Sequence, residues 1–304
     1  MYQTILVPLD GSDFSARALP VASELARRTG AMMHVAMVHD PSAFIPFVPG
    51  EVAVPVYDAA VVRERREADQ ARLDQTVAEL AATGLRVSGV LLEGTVIESL
   101  IEYGQQVASE LTIMTTHGRG GFARLRLGSV TTAYLTRSTT PVLLVHGAGE
   151  EPGAAPALPA GALLCPLDGS PFAERMLPHA AGFADACGMT LALFSVITPH
   201  AVAMAPFASE ALLADPSMLE QEERDRRQYL TQVAAAAGQA ATATVLTDMS
   251  VGRAILDEAA RSGAGGIALA THGRGGIARM MLGSVADEVI RHTRLPVLVY
   301  RPES

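Results

Sequence analysis

The chain has 304 residues, 49% of them hydrophobic and 18% charged, and a net charge of −9 that its two halves share evenly. This is a globular composition: no run approaches the roughly 18 apolar residues of a membrane span, and no basic face is offered to nucleic acid. Every basic residue is arginine, so chemistry that needs a lysine, such as a Walker A phosphate cradle or a Schiff base, is excluded.

Taken from the N-terminus, strand and helix alternate. Residues 4–9 form a continuous apolar strand of the kind expected where both faces of a parallel sheet are covered. Asp10-Gly11-Ser12 breaks it. Residues 15–29 carry Ala18, Leu19, Ala22, Leu25 and Ala26 at the spacing of an amphipathic helix, which Gly30 ends. Strand two covers 32–38. Helix two covers 63–83, with Leu73, Val77 and Leu80 on one stripe and Gly84 behind it. Strand three follows at 86–92, helix three at 96–108, strand four at 111–115, helix four at 129–136 and strand five at 142–145. Before helix two, residues 41–57 combine Pro41, Pro46, Pro49 and Pro55 with Phe44, Ile45, Phe47 and Tyr57. Proline excludes a regular helix there, which leaves a loop folded over its own core, a lid, or a partner surface.

The same order then returns. Thr116-His117-Gly118-Arg119-Gly120-Gly121, Gly128-Ser129-Val130 and Pro141-Val142-Leu143 reappear as Thr271-His272-Gly273-Arg274-Gly275-Gly276, Gly283-Ser284-Val285 and Pro296-Val297-Leu298, all shifted by one constant number of residues. Val7-Pro8-Leu9-Asp10-Gly11-Ser12 likewise has its counterpart in Cys165-Pro166-Leu167-Asp168-Gly169-Ser170. The chain is therefore a duplicated domain, residues 1–146 and 161–304, joined by a Gly-, Pro- and Ala-rich linker at 147–160. In the second copy strands are expected at 162–167, 190–196, 242–246, 266–270 and 297–300, and helices at 172–187, 220–237, 251–261 and 284–293. Its counterpart of the Pro-rich loop is residues 199–218, with Met204, Phe207, Leu212 and Leu213.

Such alternation predicts an α/β fold of two tandem open parallel sheets with helices on both faces, flavodoxin- or Rossmann-like, with strand order 3-2-1-4-5 in each. That order reverses its winding between strands one and four. Ligands of open parallel sheets sit at the carboxyl ends of the strands flanking such a point, where Asp10 and the Gly118 loop both fall.

Those loops suit an anion. Glycines in Gly118-Arg119-Gly120-Gly121 let main-chain N–H groups converge, and Ser129 opens helix four with a hydroxyl and unpaired helical N–H groups. Arg119 and Arg274 add charge at the loop tip. A second reading makes the glycines turn formers only, and each aspartate an ordinary helix cap or turn former. His117 and His272 lie in the same loops beside no Ser or Cys nucleophile motif, which favours hydrogen-bonded turn histidines over catalytic bases. His34 and His39 show no metal-ligand spacing, and no site built from protein ligands alone is expected.

Together Val7-Pro8-Leu9-Asp10-Gly11-Ser12, Thr116-His117-Gly118-Arg119-Gly120-Gly121, Leu127-Gly128-Ser129-Val130 and Thr140-Pro141-Val142-Leu143-Leu144-Val145 resemble the universal stress protein family, and the second copy does so equally. The resemblance spans the chain apart from the linker. Nucleotide-binding members carry G-x2-G-x9-G-[S/T]. Gly118 with Gly128-Ser129, and Gly273 with Gly283-Ser284, supply its latter part, while Thr115 and Ala270 replace its first glycine. The resemblance implies that Asp10 and Asp168, with Pro8, Leu9, Pro166 and Leu167 before them, meet the nucleoside, and that Val38 and Val196 line the adenine. It implies that the glycine loops with Ser129, Val130 and Thr131, or Ser284, Val285 and Ala286, hold the phosphates of ATP, with Mg2+ bound through those phosphates. Thr115 crowds the site more than Ala270, and Ala286 lacks the hydroxyl of Thr131, so two unequal sites are expected.

Three functional classes follow: a stress-linked regulator that binds adenine nucleotide, a slow ATPase in which Asp10 or His117 orients water, and an interaction protein whose glycine loops are only turns. No phosphoryl-transfer nucleophile is identifiable, so turnover is not supported. Cys165 and Cys187 read as reduced, buried thiols, and with no basic leader before the first strand a cytoplasmic location is expected. The fifth strands are wholly apolar edges. In proteins similar to this one such strands pair across a dimer interface, which implies intrachain pairing of the two copies, any homodimer of the whole chain using other surfaces.

Overall fold

In the computed structural model, residues 2–40, 59–116, 127–146, 158–199, 216–236, 241–271 and 282–302 are described. The first copy runs β1 (Thr4–Leu9), α1 (Asp13–Ala16), α2 (Ala18–Thr29), β2 (Met32–His39), α3 (Ala59–Ala82), β3 (Val87–Glu93), α4 (Val96–Gln106), β4 (Leu111–Thr115), α5 (Ser129–Leu135) and β5 (Val142–Val145). The second runs β6 (Ala162–Pro166), α6 (Pro171–Glu174), α7 (Leu177–Cys187), β7 (Thr190–Ile197), α8 (Pro216–Ala236), β8 (Ala241–Thr247), α9 (Val251–Ser262), β9 (Gly266–Ala270), α10 (Ser284–His292) and β10 (Val297–Tyr300). The Pro-rich segment 41–57 and most of 199–218 lie outside the described residues. No described helix is long and apolar enough to cross a membrane.

Strand order is β3-β2-β1-β4-β5-β10-β9-β6-β7-β8, so each copy contributes the expected 3-2-1-4-5 arrangement. Within a copy every pairing is parallel. At the centre β10 lies antiparallel to β5, with Leu298 opposite Leu143, so the two parallel sheets join into one that is continuous through ten strands. The residues explain this. Both strands are short, apolar and buried, and an unpaired edge of that kind would leave its N–H and C=O groups without partners.

Alternation along the strands divides the core in two. Ile5, Val7, Leu143 and Leu298 face one side with Leu25, Phe183 and Leu191, while Leu6, Leu144 and Val297 face the other with Tyr134, Phe194 and Val289. Each half of the core draws on both copies. Full burial of such a side chain stabilises by roughly 1.5–3 kcal/mol. Across the junction Arg28 Nη1 donates to the Cys187 carbonyl at 2.8 Å, and Arg301 Nη1 donates to that of Thr136.

One helix per copy differs from expectation. In place of the single helix expected over 15–29, α1 stops at Ala16 and α2 begins at Ala18; residues 172–187 divide in the same way after Glu174. Pro20 and Pro178 are the cause. Each lacks the N–H that would bond the carbonyl four residues earlier, on Ala16 and on Glu174, and those residues end the first piece.

Candidate functional site

β1 pairs with β2 on one side and β4 on the other, so the winding of the sheet reverses between β1 and β4, the kind of point at whose carboxyl ends open parallel sheets hold ligands in a crevice. β6, between β7 and β9, repeats this. Pro8 and Leu9 close β1, Pro166 closes β6, and Leu167 follows it, donating its N–H to the Phe194 carbonyl at 2.8 Å and accepting from Ser195 Oγ at 2.7 Å.

The aspartates begin tight turns. Asp10 Oδ1 accepts from Ser12 N at 2.9 Å and from Ser12 Oγ at 2.6 Å, while Ser12 Oγ in turn accepts from Ser15 N and caps α1. Asp168 Oδ1 accepts from Ser170 N at 2.9 Å, and Ser170 Oγ caps α6 through Ala173 N. Gly11 and Gly169, with φ of 77° and 84°, occupy the left-handed conformation these turns need. One carboxylate oxygen of each aspartate thus belongs to the turn, while the helix caps are Ser12 and Ser170. Val38 and Val196 are half-buried near the ends of the neighbouring strands β2 and β7 and pack against the core.

On the other rim, the ends of the glycine loop are drawn together. Thr116 N donates to Val145 O at 3.3 Å, and Gly128 N to Thr116 O at 2.8 Å; in the second copy Thr271 N donates to Tyr300 O at 2.9 Å, and Gly283 N reaches Thr271 Oγ1 at 3.5 Å. His117, Gly118, Arg119, His272, Gly273 and Arg274 lie outside the described residues. Gly128 and Gly283 cap α5 and α10 with no side-chain hydrogen bond, leaving Ser129 and Ser284 exposed on the first turns. Their φ and ψ, −58° and 148° for Gly128 and −56° and 147° for Gly283, are open to any residue. Among the described residues, a Cβ on Gly283 meets nothing within 4 Å. At Gly283 neither the backbone nor the packing of the described residues demands glycine, and the missing side chain leaves space at a helix N-terminus.

The copies differ at this rim. Thr115 is only 7% exposed, and its carbonyl accepts from Thr131 Oγ1 at 3.0 Å. That hydroxyl, expected among the phosphate ligands, is buried and ties β4 to α5. Ala270 is half-buried, and Ala286, which has no hydroxyl to spend, is buried. Val130 is 40% exposed and Val285 half-buried. Of the histidines weighed as ligands, His34 Nδ1 meets Tyr103 Oη at 2.9 Å and Ser88 Oγ at 3.0 Å, and His39 Nδ1 meets Asp69 Oδ2 at 3.1 Å.

Sequence reasoning missed two arginines at the turns: Arg72 Nη1 donates to the Gly11 carbonyl, and Arg226 Nη1 donates to that of Asp168 at 2.6 Å. Nothing in the local pattern of either helix marks them; only the packing of α3 and α8 against the sheet brings them there.

Comparison with known proteins agrees with this architecture. The profile of the universal stress protein family matches residues 1–146 and 161–301. Over 147 residues the chain is 32% identical to a universal stress protein of Thermus aquaticus, 48% of this chain and 100% of that one. Over 304 residues it is 28% identical to a universal stress protein of Mycolicibacterium smegmatis, covering 97% of this chain and 96% of the relative. A solved universal stress protein from Archaeoglobus fulgidus superposes with a TM-score of 0.68 at 19% identity, over 99% of this chain and 97% of that one, a likeness of fold. With both of its copies matched by the family profile, the chain belongs to the universal stress protein family.

Proposed function

We propose that this protein is a stress-response regulator that binds adenine nucleotide, with ATP as the ligand, at the glycine loops of one or both copies. Family membership supports the stress-response role. The observation that carries the nucleotide reading is Gly283: it caps α10 in a conformation any residue adopts, and among the described residues nothing stands within 4 Å of where a side chain would begin. Nothing in its described surroundings calls for glycine, whereas a phosphate brought against main-chain N–H groups does. Asp168 and Val196, or Asp10 and Val38, would take the nucleoside and its base. Ser284 or Ser129 would take the phosphates, and Mg2+ would arrive bound to them. The smaller side chain of the half-buried Ala270 favours the second copy over the first, where the buried Thr115 takes the corresponding position.

Calorimetry with ATP tests this on wild type and on Gly128→Val and Gly283→Val, singly and together. Each variant keeps its circular dichroism spectrum and cooperative melting. The double variant weakens binding by about a hundredfold or more, roughly 2.7 kcal/mol, and Gly283→Val alone removes the tighter site. Unchanged affinity in the folded double variant would take phosphate binding out of the account.

A further inference from the structure

In both copies the turn that presents the aspartate is held from outside by an arginine. In the first, Arg72 of α3 donates to the carbonyl of Gly11; in the second, Arg226 of α8 donates to the carbonyl of Asp168 at 2.6 Å. These arginines are not a simple copy of one another. Arg72 immediately precedes the buried Leu73 of its helix, whereas Arg226 stands one helical turn before the buried Leu230, and the carbonyls they reach are adjacent positions of the turn. The two copies arrive at the same contact from different helical steps.

The contact shapes the turn. Gly169 has φ of 84°, and a Cβ there would stand 2.9 Å from Arg226 Nη1, so the guanidinium lies directly on the main chain of the turn. Arg226 is largely enclosed, with 23% of its side chain exposed and Glu222 at 3.9 Å one turn back along α8. Tyr229, on the same helix, donates its hydroxyl to Glu174 Oε1 at 2.9 Å, so α8 grips both the turn and the short helix that follows it. From within, the Asp168 carboxylate receives Ser170 N; from outside, its carbonyl receives the guanidinium. A charged donor on a carbonyl makes a stronger and more directional bond than a neutral one, and it fixes the peptide plane from which the carboxylate projects.

We infer that Arg72 and Arg226 are positioning residues for the nucleoside end of the two candidate sites, setting through the main chain where the Asp10 and Asp168 carboxylates stand. This rests on the nucleotide reading proposed above and extends it to residues outside the glycine loop. The arginines act through the turn and touch no phosphate. Their loss therefore costs the nucleoside contribution and leaves the phosphate contribution intact.

The test uses the full chain with Arg72→Met and Arg226→Met combined, a change that keeps the apolar stem and removes the donors, and separately with both positions changed to Lys. Adenosine, ATP and inorganic tripolyphosphate are titrated in turn, and amide hydrogen exchange is followed at residues 10–15 and 168–173 of the free protein. The methionine variant should weaken adenosine and ATP by the same factor, about tenfold, leave tripolyphosphate unchanged and speed exchange at both turns, and the lysine variant should recover part of the loss. A variant that loses tripolyphosphate and ATP but not adenosine would make the arginines phosphate contacts and overturn the inference. So would unchanged affinity with unchanged exchange. Wild-type protein that binds neither adenosine nor ATP would defeat the nucleotide reading itself, and the exchange data would still decide whether the arginines hold the turns.

Discussion

At the scale of single residues, the site is a set of commitments made by polar atoms. Asp10 and Asp168 each give one oxygen to a turn, Thr131 gives its hydroxyl to Thr115, and a Cβ on Gly283 would meet nothing within 4 Å among the described residues, which is why that position carries most weight. These roles were partly legible in the sequence. The aspartate turns follow from residue type at a strand-to-helix boundary, but the Thr131 partner depends on the depth of α5 against β4, which no local pattern records. Histidine supplies a prediction at this scale. Burial holds His34, between Tyr103 and Ser88, below the usual imidazole value, and does the same to His179, whose ring lies 4.0 Å from that of Tyr300. A lowered folded value means that the unfolded chain takes up the proton first. The stability these groups contribute is complete above the unfolded value near pH 6.5 and is lost as pH falls through the lower folded value. Urea denaturation between about pH 8 and pH 5 should show stability falling at the acid end, and replacing both histidines with Gln should flatten that fall. A double variant with the wild-type slope would assign the acid sensitivity to other groups.

At the scale of elements, the strands were the most legible part of the chain. β4, β5, β9 and β10 coincide with the apolar runs read from the sequence, because each is short, continuous and bounded by turn residues. The first helix of each copy was misread because its apolar spacing continues across the break that Pro20 or Pro178 imposes. The last residues of the linker show a packing that composition alone conceals: Pro159 is buried, Leu158 rests against the core, and a Cβ on Gly265 would lie 1.8 Å from the Ala160 carbonyl oxygen. The linker therefore joins the second copy before β6 begins. Gly265→Ala should lower stability by about 3 kcal/mol, since a main-chain carbonyl cannot move aside as a side-chain tip can. Chemical denaturation reads this directly, and a loss below about 0.5 kcal/mol would mean that the linker contact is dispensable.

At the scale of the whole molecule, the pairing of β5 with β10 makes one body of two copies, with Leu143 facing Leu298 at its centre and core clusters on both faces that draw on each half. Each crevice is tied to this seam, since Thr116 and Thr271, where the glycine loops begin, bond to the last residues of β5 and β10. Replacing Leu143 and Leu298 with Asp would bury two carboxylates face to face. The radius of gyration from small-angle scattering should rise as the halves separate; an unchanged radius and stability would show that the seam does not hold the copies together. The central claim, that this molecule holds adenine nucleotide, is tested most directly by denaturing the purified protein after equilibration with ATP and Mg2+ and removal of free ligand, then measuring the mass and stoichiometry of what is released. The account predicts an adenine nucleotide at one to two per chain, reduced to none in Gly128→Val/Gly283→Val. Wild-type protein that releases no nucleotide, and shows no ATP-dependent rise in melting temperature, would contradict it.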